Sequence, residues 1–231
     1  MAMRLDKYIS QCTGLSRKGV RIALYGKRVQ VDGVTTKSVS QALTGNEQVT
    51  LDGERLALPR ARYLMLHKPA GTLSATQDSS QPCVLDLLPP ALADGLQIVG
   101  RLDKDTTGLL LLTDDGAWNH RITSPRRACS KVYDVTTADP IAPDVATQFA
   151  EGILLNNESK PTLPATLEQL DERRVRVTLQ EGRYHQVKRM FAATGNRVVE
   201  LHRLAVGGIV LDPELAPGDF RPLTEDEIAR V

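Results

Sequence analysis

At 231 residues, with 41% hydrophobic and 4% aromatic side chains, the chain can bury a sizeable, mainly aliphatic core in one large or two modest domains. No apolar run approaches the ~20 residues that cross a bilayer, and the opening MAMRLDKYIS lacks a signal-peptide apolar stretch. The net charge is only +1, and three scattered cysteines without a CxxC pair speak against a disulfide framework or zinc knuckle and for a reducing cytoplasm.

Residues 1–60 carry ten Lys and Arg against five Asp and Glu, while residues 61–231 carry nineteen against twenty-three. A basic head on a mildly acidic body points to a polyanionic partner for the head. Leu5, Tyr8, Ile9 and Cys12 recur at i, i+3, i+4, i+7 and predict a short amphipathic helix. Ser16 is placed to N-cap a second helix, RKGVRIALY, with Gly26 ending it as a C′ residue. KRVQVDGVTT and EQVTLDGERL each alternate around an Asp-Gly turn and predict two short hairpins. Arg17, Lys18 and Arg21 crowd the first turn of the second helix, where the macrodipole disfavours cations. They read either as a phosphate cradle with the free backbone N–H groups or as a solvated basic face. Arg4, Lys7, Lys27 and Arg28 extend the patch. MRLDKYIS…LSRKGVRIALYGKRVQVDG resembles, over about fifty residues, the small RNA-binding domain named after a ribosomal small-subunit protein, which implies RNA as the partner of residues 1–60. GERLALPRAR, residues 53–62, reads as a polar linker, so a domain boundary is expected near residue 60.

From residue 61 onward short strands alternate with a few helices. RYLMLHKP is a strand stopped by Pro69, and LQIVG and LLLLT are apolar runs flanking a charged loop. TDDGAWNHRITSP has the form of a capped helix ending before Pro125. KVYDVTT alternates as a strand, and APDVATQFAEG has the proline start and glycine stop of a helix. ATLEQL, RRVRVTLQ, NRVVELHR and GGIVLD are further strands. In YHQVKRMFAATG, Val187, Met190 and Phe191 form a helical apolar stripe that Gly195 ends. The pattern predicts an α+β architecture, in which a small basic helix-helix-hairpin domain precedes a larger domain around a mixed, mainly antiparallel sheet.

The charged loop, GRLDKDTTG over residues 100–108, is the chemically suggestive stretch. Asp103 and Asp105 read as a metal pair, as solvated loop decoration, or as a reacting carboxylate and its neighbour. Flanking Arg101 and Lys104 would compete with a metal, and no third carboxylate or histidine stands close in sequence. No P-loop, GxGxxG or HExxH occurs, so nucleotide hydrolysis and dinucleotide chemistry drop out. His67, His120, His185 and His202 read as surface or hydrogen-bonded structural histidines. A carboxylate held against a buried strand needs a counter-charge, supplied by Arg101 or from a distant segment.

GRLDKDTTGLLLLTDDG resembles the signature loop of the pseudouridine synthases, in which the aspartate of R-L-D is catalytic; in this chain that is Asp103. YLMLHKPAG (63–71) resembles the first motif of that family. EGRYHQVKRMF (181–191) resembles the third, which supplies the aspartate with a basic partner, here Lys188 or alternatively Arg189. KVYDV (131–135) resembles the strand bearing the active-site tyrosine, here Tyr133. Many relatives carry arginine where Lys188 stands, so a single rather than forked pairing is expected. The resemblance implies isomerisation of a uridine, with no cofactor and no metal. DDGAWNHRITSPRRACSKVY, EGRYHQVKRMFAATGN and the basic head point within the family to 16S ribosomal RNA and its uridine 516. The expected substrate is that RNA, free or in an assembly intermediate with ribosomal proteins, and the expected protein is a monomer without membrane contact. Tyr133 would stack on the base, and Arg101 would fill the gap left by a flipped base or contact phosphate. Asp105, Thr106 and Thr107 read as loop-shaping residues. A non-catalytic ribosome-assembly protein and a synthase for large-subunit RNA are the alternative readings.

Overall fold

The computed structural model describes residues 3–57 and 60–231, so Leu58 and Pro59 of the expected linker lie outside the described residues. The chain divides into two compact units, Met1–Arg60 and Ala61–Val231.

In the first unit β1 (Met3–Arg4) leads into α1 (Leu5–Thr13), which buries Leu5 and Ile9 completely and Tyr8 and Cys12 in part. Ser16 caps α2 (Arg17–Tyr25), its hydroxyl accepting from the Gly19 N–H at 3.2 Å. The left-handed residue after α2 is Lys27 (φ 59°) and not Gly26. Glycine at 26 serves close approach instead, since a Cβ there would stand 3.0 Å from the Ile22 carbonyl oxygen. The hairpins form as the alternation predicts: β2 (Val29–Val31) with β3 (Val34–Thr35), and β5 (Val49–Leu51) with β6 (Glu54–Arg55). Asp32-Gly33 and Asp52-Gly53 all take positive φ, as turns matching the twist of two-residue hairpins require. β2 pairs with β5, giving the order β3-β2-β5-β6, and β4 (Ala42–Leu43) pairs with β1.

The second unit contains β7 (Tyr63–Lys68), α3 (Pro90–Ala93), β8 (Gln97–Val99), β9 (Thr107–Thr113), α4 (Gly116–Thr123), β10 (Lys131–Thr137), α5 (Val145–Glu151), β11 (Thr166–Gln169), β12 (Arg174–Leu179), α6 (Gln186–Ala193), β13 (Val198–Val206), β14 (Ile209–Val210), β15 (Phe220–Pro222) and α7 (Glu225–Ala229). Its sheet runs β11-β12-β10-β13-β9-β7-β15, with β8 added on β9 and β14 on β13. Among the described residues, every strand pairing of this sheet is antiparallel except β9 with β13, so the sheet is mixed and mainly antiparallel. The four consecutive leucines of β9 follow from burial on both faces. Leu110 and Leu112 enter one core with Phe149 of α5 and Phe191 of α6, and Leu109 and Leu111 enter a second with Trp118 and Ile122 of α4. Asp115 caps α4, accepting from the N–H groups of Ala117 and Trp118. No helix among the described residues is long and apolar enough to cross a membrane.

Candidate active site

Asp103 sits on the loop between β8 and β9, held from behind by residues 68–74. Ser74 Oγ accepts from the Leu102 N–H at 3.1 Å and donates to the Leu102 carbonyl at 2.8 Å. The Gly71 N–H donates to the Lys104 carbonyl at 2.8 Å. Lys68, 0% exposed, donates from Nζ to the carbonyls of Pro69, Lys104 and Thr106 at 3.1, 3.2 and 2.8 Å. Burial pushes its pKa down to about 8, against the pull of Asp105 and Asp103. The loop therefore enters β9 tied by a buried cation and a hydroxyl, at Gly108 (φ 103°), where a Cβ would stand 2.6 Å from the Arg203 backbone nitrogen. None of these ties is legible in the sequence, because they join segments distant along the chain.

On the open side Asp103 meets the start of α6. Lys188 Nζ lies 3.1 Å from Asp103 Oδ2 and 2.6 Å from Asp105 Oδ1. Asp103 is 25% exposed and lines a pocket; Asp105 is 73% exposed and stands outside its lining. The Lys188 hydrogen bond holds the Asp105 carboxyl below the usual range. Burial works to lower Lys188, but its bonds to Asp105 and Asp103 outweigh it and leave the ammonium above the ordinary lysine value. Asp105 is thus an ion-pair partner and not the loop-shaping residue its sequence context indicated, and Thr106 Oγ1 has no hydrogen-bond partner among the described residues. Thr107 Oγ1 instead bonds His202 Nδ1 at 2.8 Å.

Of the two basic residues offered for Asp103, Lys188 is the one beside it. Arg189, roughly 100° further round the helix, pairs with Glu158 at 2.7 Å and donates to the carbonyls of Asn156 and Tyr184. Glu158 also takes Arg183 at 2.6 Å, so this network anchors the entrance to α6, and Arg183 itself lines the pocket that holds Asp103.

His185 departs from its structural reading. It takes a left-handed φ of 48° directly before α6, starting that helix at Gln186, and brings Nε2 to 3.3 Å from Asp103 Oδ1. Its ring stacks on exposed Tyr184, with centroids 3.8 Å apart and planes at 20°. The apolar periodicity of YHQVKRMFAATG extends through residue 185 and carries no sign of that positive φ. His67 and His202 pack edge to face, 5.4 Å apart, in the structural role expected of them.

Tyr133 of β10 is 8% exposed and lines the same pocket as Asp103, with Leu201 and Val187 among the apolar walls. Arg101 is exposed at the pocket and makes no hydrogen bond or ion pair among the described residues. The pocket thus brings together a carboxylate, an aromatic side chain and an uncommitted guanidinium, with Lys188 beside the carboxylate as its counter-charge.

In the first unit Lys7, Arg17, Lys18, Arg21 and Lys27 are all exposed; Arg4 pairs with Asp6, and Arg28 with Asp52. Ile22 and Tyr25, 58% and 62% exposed, share the outward side of α2 with Lys18 and Arg21. The i, i+3, i+4, i+7 spacing of Lys18, Arg21, Ile22 and Tyr25 was the available signal for this mixed basic and apolar face.

A profile of the family described as RNA pseudouridylate synthase matches residues 62–193. Over 230 residues the chain is 54% identical to the ribosomal small subunit pseudouridine synthase A of Salmonella typhimurium, covering 99% of this chain and 100% of that protein. It is 53% identical, with the same coverage, to the Escherichia coli protein of that name. Its structure is similar to the crystal structure of a pseudouridylate synthase, with a TM-score of 0.73 and 46% identity over 99% of both chains.

Proposed function

The chain belongs to the RNA pseudouridylate synthase family and is an isomerase, and from that premise we propose that it converts a uridine of small-subunit ribosomal RNA to pseudouridine with Asp103 as the reacting carboxylate. The observation that carries the reading is Asp103 lining a pocket with Tyr133 while Lys188 stands 3.1 Å away as counter-ion. The substrate class follows the names of the relatives that span the whole chain. Uridine 516 of 16S RNA is the proposed position, and mapping pseudouridines in ribosomal RNA from strains with and without the gene tests it.

The reaction breaks the C1′–N1 bond, turns the base, joins C1′ to C5, releases the C5 hydrogen as a proton and returns one to N1. No atoms or electrons are gained overall, so the conversion itself calls for no cofactor. Asp103 supplies the nucleophilic or basic oxygen. Lys188 holds that oxygen in place, and His185 Nε2 contacts its partner oxygen. Tyr133 provides the face against which an extruded base stacks, worth about 1–3 kcal/mol. Arg101 is free to take the place of the base in its helix or to meet phosphate. The basic face of residues 1–60 is the proposed RNA-binding surface, and residues 61–231 the catalytic domain. The working state proposed is a cytoplasmic monomer, acting on RNA alone or on an assembly intermediate.

Asp103→Asn keeps the shape and removes the charge, so turnover should fall by about 10³-fold or more while RNA binding persists. Tritium release from 5-tritiated uridine in small-subunit RNA measures the first and filter binding the second. Substantial release by the variant would sink the assignment, and wild-type binding without release is the outcome expected of a non-catalytic RNA-binding protein.

A further inference from the structure

The pocket extends past Tyr133 along the sheet. Lys131 lies two residues before Tyr133 on the same face of β10, and Arg203 is the cross-strand partner of Tyr133 on β13. All three line the pocket, together with Gly100 and Ser124. Arg203 is 1% exposed. Its Nε donates to the Leu109 carbonyl at 2.8 Å and its Nη2 to the Gly100 carbonyl at 3.2 Å. No hydrogen bond engages Nη1 among the described residues, and Gly100 lies beside it, close enough that a Cβ at that position would stand 4.0 Å from Nη1. Lys131 donates to the Cys129 carbonyl at 3.0 Å. No carboxylate pairs with Lys131 or Arg203 among the described residues, although the mildly acidic body supplies partners for Arg62, Arg176, Arg183, Arg189 and Arg221. Burial pushes the Cys129 thiol up, so it stays neutral and offers no counter-charge.

A buried guanidinium and a partly buried lysine, whose charge burial and the neighbouring Arg203 both disfavour, thus stand without a carboxylate partner in a recess of mixed polar and apolar lining that continues the uridine pocket. Enclosing charge without compensation is costly, and an anion bound in the recess removes that cost. Every nucleotide in a chain carries a phosphate on either side of its base, within reach of a groove that runs on from the base pocket. We propose that Lys131 and Arg203 form a subsite for a backbone phosphate adjoining the reacting uridine. The subsite rests on the functional reading above. It binds the backbone of the target nucleotide itself, separately from the basic patch of residues 1–60, and draws that nucleotide into register with Asp103.

The test uses the full-length enzyme and small-subunit RNA carrying one neutral methylphosphonate linkage, placed on the 5′ or the 3′ side of the target uridine. Tritium release from unmodified RNA by the wild-type enzyme is the control for the functional reading; its failure would overturn that reading and this subsite together. With the control satisfied, one of the two neutral linkages should raise KM about tenfold, the scale of one charge-assisted contact, with kcat little changed. Lys131→Met should raise KM on unmodified RNA by a similar factor and show no further rise on the neutral linkage. Wild-type indifference to both linkages would overturn the subsite without reference to any variant. So would a Lys131→Met enzyme that shows the full linkage effect on top of its own.

Discussion

Lys68 and Lys188 are two lysines of one site with opposite electrostatic situations. Lys188 faces two carboxylates and is held charged, whereas Lys68 has only carbonyl partners and is pushed down to about 8 by burial. The folded protein gives up the Lys68 proton near pH 8, and the unfolded chain keeps it to about 10.5. The stability contributed by residue 68, measured as wild type minus Lys68→Met in urea titrations, should therefore rise between those two pH values. Function moves the other way. Deprotonation leaves an amine with two hydrogens for three carbonyls, and the 104–106 segment loses its clamp. Turnover should decline above about pH 8 in the wild type, and an identical alkaline limb in Lys68→Met would assign it to another group.

The loop-to-strand junction decides how elements position the site. β9 runs antiparallel to β7 and β8 but parallel to β13, and the parallel contact is made at Thr107 and Gly108 against His202 and Arg203. A side chain at 108 would face both a positive φ of 103° and the Arg203 backbone. Gly108→Ala should therefore destabilise the protein by about 2 kcal/mol or more, lowering Tm by about 5 °C or more. Calorimetry checks it; an unchanged Tm would mean that the two strands separate there without cost. Activity should fall further than stability, because the same glycine sets the exit of the loop that carries Asp103. On the opposite wall His185 plays a comparable part, its left-handed backbone turning the chain into α6 so that Lys188, and not Arg189, faces the carboxylates.

Across the whole molecule, charge is divided between a basic first unit and a mildly acidic second one. Arg17, Lys18 and Arg21 are exposed and unpaired with any carboxylate among the described residues, beside the apolar surfaces of Ile22 and Tyr25. Replacing all three by alanine should weaken RNA binding and flatten the plot of log affinity against log salt by about 0.7–0.9 for each phosphate no longer neutralised. An unchanged slope would identify the patch as a solvated surface. Amino-acid order by itself marked α1, α2, α4, α5, α6, both hairpins and most strands of the larger sheet, because caps, Asp-Gly turns and apolar periodicity act between near neighbours, whereas α3, α7, β1, β4 and β15 went unmarked. The short motifs of the sequence, through their resemblance to those of the family, also pointed to Asp103 and Tyr133, and left Lys188 and Arg189 as alternative partners for the carboxylate. Tertiary structure alone decided that Lys188 spans two carboxylates, that His185 reaches Asp103, that Lys68 clamps the loop and that Lys131 meets Arg203 in one recess. Lys188 and Asp105 are 83 positions apart. A contact across such a separation depends on how the sheet stacks its strands and aims its loops, and no neighbouring residue records it.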